Sequence, residues 1–64
     1  MIYYILNVRQ RTFEVKHSAR QVAIFLLGKT IDGILIFKHD GTETKSYLPT
    51  IGDVTLIEKE LESL

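Results

Sequence analysis

The sequence contains no cysteine and only one proline among its 64 residues. The lack of cysteine excludes a disulfide framework and a thiolate metal site. The two histidines, His17 and His39, cannot close a structural zinc site without help from carboxylates. A domain of about 60 residues hides only about 60 % of the surface that its unfolded chain exposes, so packing or self-association must stabilise it. We expect one domain over residues 1–64, with no cofactor and no bound metal.

Long hydrophobic runs are also missing. No apolar segment approaches the roughly 18 residues that a membrane span needs. The N-terminal segment MIYYILNVR has no positive residue before its apolar run and no small-residue cleavage site, so it does not match a secretory signal. With 45 % hydrophobic and 25 % charged residues, the composition is typical of a globular protein. We expect a cytoplasmic protein that does not interact with a membrane.

The chain has no net charge, which argues against a strongly basic nucleic-acid-binding protein. The charges are nevertheless unevenly distributed. Residues 1–30 contain five basic residues and one acidic residue, whereas residues 31–64 contain three basic and seven acidic residues. Such an asymmetry between the two halves is typical of a nucleic-acid surface or of an acidic interaction face.

Four segments have the composition or the period-two alternation of β-strands. They are residues 2–9, 12–17, 34–39 and 42–48. Asp40-Gly41 is a hairpin-turn signal between the last two segments. The first and third segments are apolar on both faces at least in part, which predicts central positions in a sheet.

Two further segments have helix signals. Ser18 and Gln21 form the Ser-x-x-Gln pattern of a capping box, and Gly28 suits a left-handed residue after the helix end, which predicts a helix over 19–27. A second helix is predicted to begin near Asp53, with either Thr50 or Asp53 as its N-cap. The apolar stripes of the two helices comprise Ala19, Val22, Ala23, Leu26 and Leu27 in the first, and Val54, Ile57, Leu61 and Leu64 in the second.

These elements predict an α+β fold in the order ββαββα. Hairpin connections and the central placement of the first and third strands give a four-stranded, mostly antiparallel sheet in the order 2-1-3-4. Both helices are expected on one face of this sheet.

This architecture leaves more apolar side chains than its layers can cover. We expect the sheet face away from the helices to carry Tyr3, Ile5 and one apolar pair of the third strand, while Ile24, Phe25 and Leu56 lie outside the helix stripes. Monomers rarely expose contiguous apolar patches beyond a few hundred Å². We therefore predict that these five residues bind a partner, with a second copy of the chain favoured. The alternative is that the last helix or the loop 28–33 covers them.

The first functional hypothesis is a small non-catalytic protein-binding module or accessory regulator that acts as a homodimer. It rests on the apolar surplus beside a charge-segregated surface. The second hypothesis is a nucleic-acid-binding regulator that uses the basic residues of the first hairpin and the first helix. Those residues are Arg9, Arg11, Lys16 and Arg20.

Catalytic motifs are absent: there is no Gly-rich phosphate loop and no metal-ligand spacing. His39 next to Asp40 could support acid–base chemistry, as in a small nuclease. The simpler interpretation is that His39 ends a strand and that Asp40-Gly41 is chosen for its backbone conformation. We therefore expect that the protein is not an enzyme. The acidic last helix either keeps its exposed face hydrated or docks a basic partner.

Overall fold

The chain folds as two β-hairpins, each followed by a helix. In the computed structural model, which describes residues 1–64, the elements are β1 (Ile2–Asn7), β2 (Thr12–Lys16), α1 (Ala19–Leu26), β3 (Ile34–His39), β4 (Thr44–Tyr47) and α2 (Val54–Glu62). The strands form one antiparallel sheet in the order β2-β1-β3-β4. The predicted α+β class, element order and strand order are confirmed.

The first strand ends earlier than predicted because Asn7 turns the chain. Its side-chain Oδ1 accepts hydrogen bonds from the main-chain N–H groups of Arg9 and Gln10, at 3.1 and 3.0 Å. Asparagine favours turns through such local bonds to the backbone. Residues 8–11 therefore form the turn, in which Arg11 adopts a left-handed conformation with φ +57°.

The start of α1 is capped as predicted. The Ser18 hydroxyl accepts a hydrogen bond from the Gln21 N–H at 3.1 Å. The Gln21 side chain returns a bond to the main-chain N–H of His17 at 3.0 Å, one residue before the N-cap. Two N–H groups at the junction between β2 and α1 are thus satisfied by side chains.

The end of α1 differs from the prediction by one residue. Leu27 leaves the helix with ψ 125°, and Gly28 follows with φ +76°. Leu27 is 66 % exposed, so its predicted place in the core stripe is wrong. The Leu27 side chain instead lines an open groove between the two helices, together with Ile24 and Val54.

Asp53, rather than Thr50, caps α2. Its carboxylate accepts hydrogen bonds from the N–H groups of Thr55 and Leu56, at 3.0 and 3.4 Å. Neither helix of the protein has the length and apolar character that crossing a lipid bilayer would require.

The end of α2 is held by a buried lysine of the sheet. Lys38 is 7 % exposed, and its Nζ donates to the main-chain oxygens of Leu61 and Leu64, at 3.0 and 3.2 Å. The last carbonyls of a helix lack partners within the helix and carry partial negative charge. The Leu61 oxygen also accepts from the N–H of Leu64 at 3.3 Å, so the ammonium group adds a second donor there, is the donor to the Leu64 oxygen, and ties α2 to β3.

The core lies between the two helices and one face of the sheet. It contains Tyr3, Ile5, Ile34 and Ile36 from the strands, with Ala19, Val22, Leu26, Ile57 and Leu61 from the helices. Apart from Leu27, the residues predicted for the two helix stripes pack in this core or against it.

The row of β1 that faces this core is the opposite of the predicted one. Tyr3 and Ile5 are each 2 % exposed, so their expected position on the uncovered sheet face is wrong. Alternation separates two rows of side chains in a strand but does not tell which row a helix covers when both are apolar. The side chains of β1 that face the helices are here called the core row. On β3, Ile36 lies directly opposite Ile5 and faces the helices as well.

Candidate functional site

Both helices pack on one face of the sheet, so neither of them covers the opposite face, here called the open face. Its apolar residues are Ile2, Tyr4, Leu6, Phe13, Val15, Leu35 and Phe37. They alternate along the strands with the residues of the core row, which is why they share one side. Five of them are half-buried, whereas Phe13 and Val15 on the edge strand are 58 % and 41 % exposed.

The strand register arranges these side chains in rows across the sheet. In one row Leu6 lies between Phe13 of β2 and Leu35 of β3. In the next row Tyr4 lies between Val15 and Phe37. The open face is thus a continuous apolar layer over three strands, since directly opposed side chains touch within a row.

The two rows are linked by an aromatic contact. The rings of Tyr4 and Phe13 stack with centroids 5.8 Å apart and planes inclined by 22°. This diagonal pair spans β1 and β2 and fixes the rings parallel to each other. A surface whose largest side chains are already ordered loses less conformational entropy when a partner covers it.

The strands contribute no Lys, Arg, Asp or Glu side chain to the open face. Lys38 is buried in the core, and Lys45 is its cross-strand partner on the same side. On β2, Glu14 and Lys16 also belong to the helix side, opposite Ile5 and Tyr3. The polar residues of the open face are neutral side chains and one imidazole: Thr44, Ser46 and His39.

The size of the open face is typical of a functional patch. With strands of up to six residues that rise about 3.3 Å each and lie about 4.8 Å apart, four strands present roughly 400 Å² in flat outline, of which the three apolar strands account for about 300 Å². The largest apolar patch on an ordinary monomer measures about 300–600 Å² and is often a site of interaction.

His39 lies at the margin of the open face, opposite Ile2 of β1 and Thr44 of β4. Its Nδ1 is 2.9 Å from the Thr44 hydroxyl oxygen.

Asp40, the neighbour that could have oriented the imidazole of His39, instead accepts hydrogen bonds from the turn residues Thr42 and Glu43. The backbone N–H groups of Glu43 and Thr42 hold the pKa of Asp40 well below its usual range. The Asp40 carboxylate therefore organises the β3–β4 turn, and no His–Asp hydrogen bond is formed.

The other residues predicted to bind a partner lie on the helix side of the molecule. Ile24 of α1 is 61 % exposed and Leu56 of α2 is exposed as well, as expected from their positions outside the stripes. Phe25 is half-buried and packs against the core. The Nζ atoms of Lys16 and Lys29 lie 4.9 and 4.5 Å from the centre of its ring. The five residues predicted to bind a partner therefore do not share one surface. Tyr3 and Ile5 are buried, Phe25 is half-buried, and Ile24 and Leu56 are exposed.

A recess of about 230 Å³ lies beside Phe25, between the β1–β2 hairpin and the end of α1. Ile5 and Ile34 contribute to its lining, together with the oppositely charged Glu14 and Lys29. Small-molecule sites usually measure about 300–1,000 Å³. The recess is smaller than that, and its charges are mixed, so its chemistry points to no ligand class.

The basic residues of the nucleic-acid hypothesis are dispersed. Arg9 forms a salt bridge with Asp32 at 2.7 Å, and Lys16 lies over the ring of Phe25. Arg20 borders a groove between the two helices. Arg11 belongs to the β1–β2 turn, at the opposite end of β2 from Lys16. These four cations do not form one continuous basic surface.

One of the acidic residues of α2 has a structural partner. The hydroxyl of Tyr47 donates a hydrogen bond to the Glu60 carboxylate, which ties β4 to α2. Burial raises the pKa of Tyr47 to about 12, and the bond to Glu60 adds to this shift. Burial also raises the pKa of Tyr3, with a smaller contribution from the charge of Glu62.

The alternation in β2 could have identified the open face, but the prediction placed the wrong side of β1 on it. Phe13 and Val15 alternate with Glu14 and Lys16, which already marks one apolar side of β2. A tight hairpin places that side next to the even-numbered row of β1. Combining the two rows would have identified a single apolar layer.

Comparisons of the chain with protein-family models, with curated proteins and with solved structures find no match. The fold and the surface chemistry therefore carry the functional argument by themselves.

Proposed function

We propose that this protein is a small non-catalytic protein-binding module that associates with a second copy of itself through the open face. The observation that carries the proposal is an uncharged apolar layer of seven side chains on the sheet face that neither helix covers. Burying one large apolar side chain contributes about 1.5–3 kcal/mol, so several together favour association.

A second copy fits this face better than a charged partner. The strands contribute no ionised carboxylate, ammonium or guanidinium group to it, so two copies can approach without repulsion between like charges. Interfaces of homodimers are more apolar than those of transient complexes. Two four-stranded sheets that pack face to face about 10 Å apart would form a sandwich in which the side chains of both open faces interdigitate.

The expected dimer is of moderate strength. Roughly 400 Å² from each copy gives about 800 Å² in total, which is below the size of a standard stable interface. We therefore expect a dissociation constant on the order of micromolar.

The test is sedimentation velocity over a range of protein concentrations, with two matched variants. Phe13→Lys places a charge on the open face, and Ile24→Lys places one on the helix side, at residues that are 58 % and 61 % exposed. Because both residues are mostly exposed, both variants should keep the fold. We expect a dimer for the wild type and for Ile24→Lys, and a monomer for Phe13→Lys. A wild-type chain that stays monomeric at high micromolar concentration, or a dimer lost only in Ile24→Lys, would overturn the proposal.

A further inference from the structure

The two histidines differ in their relation to the open face. His39 is the last residue of β3 and belongs to the row of Leu35 and Phe37, which alternates with the buried Lys38. It is half-buried already in the single chain. His17 is exposed and follows the end of β2, outside the paired strands.

The cross-strand neighbours of His39 on the open face carry no charge. Its neighbours there are Ile2 on β1 and Thr44 on β4, both uncharged. Lys38 and Lys45 lie on the opposite side of the sheet. In the β3–β4 turn, Glu43 forms a salt bridge with Lys45 at 3.5 Å. Asp40 is attracted electrostatically to His39.

We infer that His39 makes dimerisation through the open face depend on pH, with the dimer weakened where imidazoles take up a proton. This inference rests on the proposed function, because it concerns the same surface. Histidine ordinarily changes charge between about pH 5 and 8. Covering the open face removes water from the imidazole, and burying its charged form without a new partner is unfavourable.

The direction of the effect follows from proton linkage. Because the imidazole loses its contact with water only in the dimer, association disfavours the charged form of His39 relative to the monomer. Association then weakens as the pH falls, because protons favour the state that binds more of them. Asp40 remains ionised over this range, since its own pKa is held far below it.

The experiment measures the dimer dissociation constant by sedimentation at about pH 8 and about pH 5.5, on either side of the histidine range. Wild type is compared with His39→Gln and with the matched control His17→Gln. We expect the constant of wild type and His17→Gln to rise about tenfold or more at the lower pH, and that of His39→Gln to stay nearly constant. A dimer of equal strength at both pH values overturns the inference but leaves the proposed function intact. No dimer at the higher pH overturns the proposed function itself.

A second measurement decides the case in which His39→Gln is monomeric at both pH values. The titration of the His39 ring is followed by NMR in the wild-type protein at low and high concentration. The inference predicts that the midpoint moves to lower pH as the dimer forms. A midpoint that does not depend on concentration, or a wild-type response retained in a dimeric His39→Gln, contradicts it.

Discussion

The rings of Tyr4 and Phe13 stack on the open face, with centroids 5.8 Å apart and planes inclined by 22°. The pair joins the central strand β1 to the edge strand β2 across the register, since Tyr4 is directly opposite Val15. It is therefore a contact of the single chain that also shapes the surface proposed to bind a second copy.

A double-mutant cycle should detect this contact in the stability of the monomer. Tyr4→Ala, Phe13→Ala and the double variant are unfolded with urea at concentrations below dimerisation. Stacked aromatic pairs contribute about 0.5–1.5 kcal/mol beyond the burial of their area, and we expect a coupling energy of that size. The control cycle of Tyr4→Ala with Ile24→Ala should show no coupling, and equal coupling in the two cycles would contradict the assignment.

The buried ammonium group of Lys38 should be required for the stability of α2. Lys38→Met keeps most of the side-chain volume but removes the donor to the oxygens of Leu61 and Leu64. Leu61 O keeps the N–H of Leu64 as a donor at 3.3 Å, so the variant leaves the Leu64 oxygen without its partner, and an acceptor left without a donor destabilises a protein by about 1–3 kcal/mol. We expect a loss of this size in the free energy of unfolding, measured with urea. The control is Lys45→Met, at the exposed cross-strand neighbour, which should change stability by less than about 0.5 kcal/mol. Equal stability of Lys38→Met and wild type would refute this role.

Gly33 should be intolerant of any side chain. Its φ is +81°, and a Cβ added there would lie 2.8 Å from Cγ of Arg9. A shift of the Arg9 side chain away from this Cβ would disturb its exposed salt bridge to Asp32. We expect Gly33→Ala to lower the free energy of unfolding by about 1–3 kcal/mol, the cost of left-handed strain together with the displaced arginine. Gly52→Ala is the control, because its φ is not positive and no atom lies within 4 Å of the added Cβ. A similar loss in both variants would contradict this explanation.

The bond between Tyr47 and Glu60 should make the fold sensitive to alkali. The pKa of Tyr47 is raised to about 12 in the folded protein, whereas an unfolded tyrosine titrates near pH 10. The stabilisation is therefore fully present below about pH 10 and is lost as the pH rises towards about 12. The test follows tyrosinate absorbance together with circular dichroism. Tyr47→Phe should lose the last absorbance step and the steep alkaline loss of stability. If the variant and the wild type unfold at the same alkaline pH, another group is responsible.

Local signals in the sequence predicted the elements well. Ser18 and Asp53 are caps whose hydrogen bonds depend on neighbouring residues only, and Asp40-Gly41 marks a turn that the same Asp40 stabilises. The strand order followed from hairpin connections and from the two strands that are apolar on both sides. Such features are encoded within a few residues of where they act.

The candidate site could not be predicted to the same degree, because it depends on packing between distant segments. Tyr3 and Tyr4 are equally suited to a core, and only the docking of the helices decides which row is covered. Lys38 would be placed at a surface by its charge, yet it reaches the oxygens at the end of α2, 23 residues away. Leu27 would continue the helix stripe, but the chain leaves the helix at that residue.

Intermolecular nuclear Overhauser effects in a mixture of isotope-labelled and unlabelled chains test the proposed dimer at the level of single residues. We expect effects between copies that involve the rings of Phe13 and Phe37 and the methyl groups of Leu35, and none that involve Ile24 or Leu56. Effects confined to Ile24 and Leu56, or no effects between copies at millimolar concentration, would contradict it.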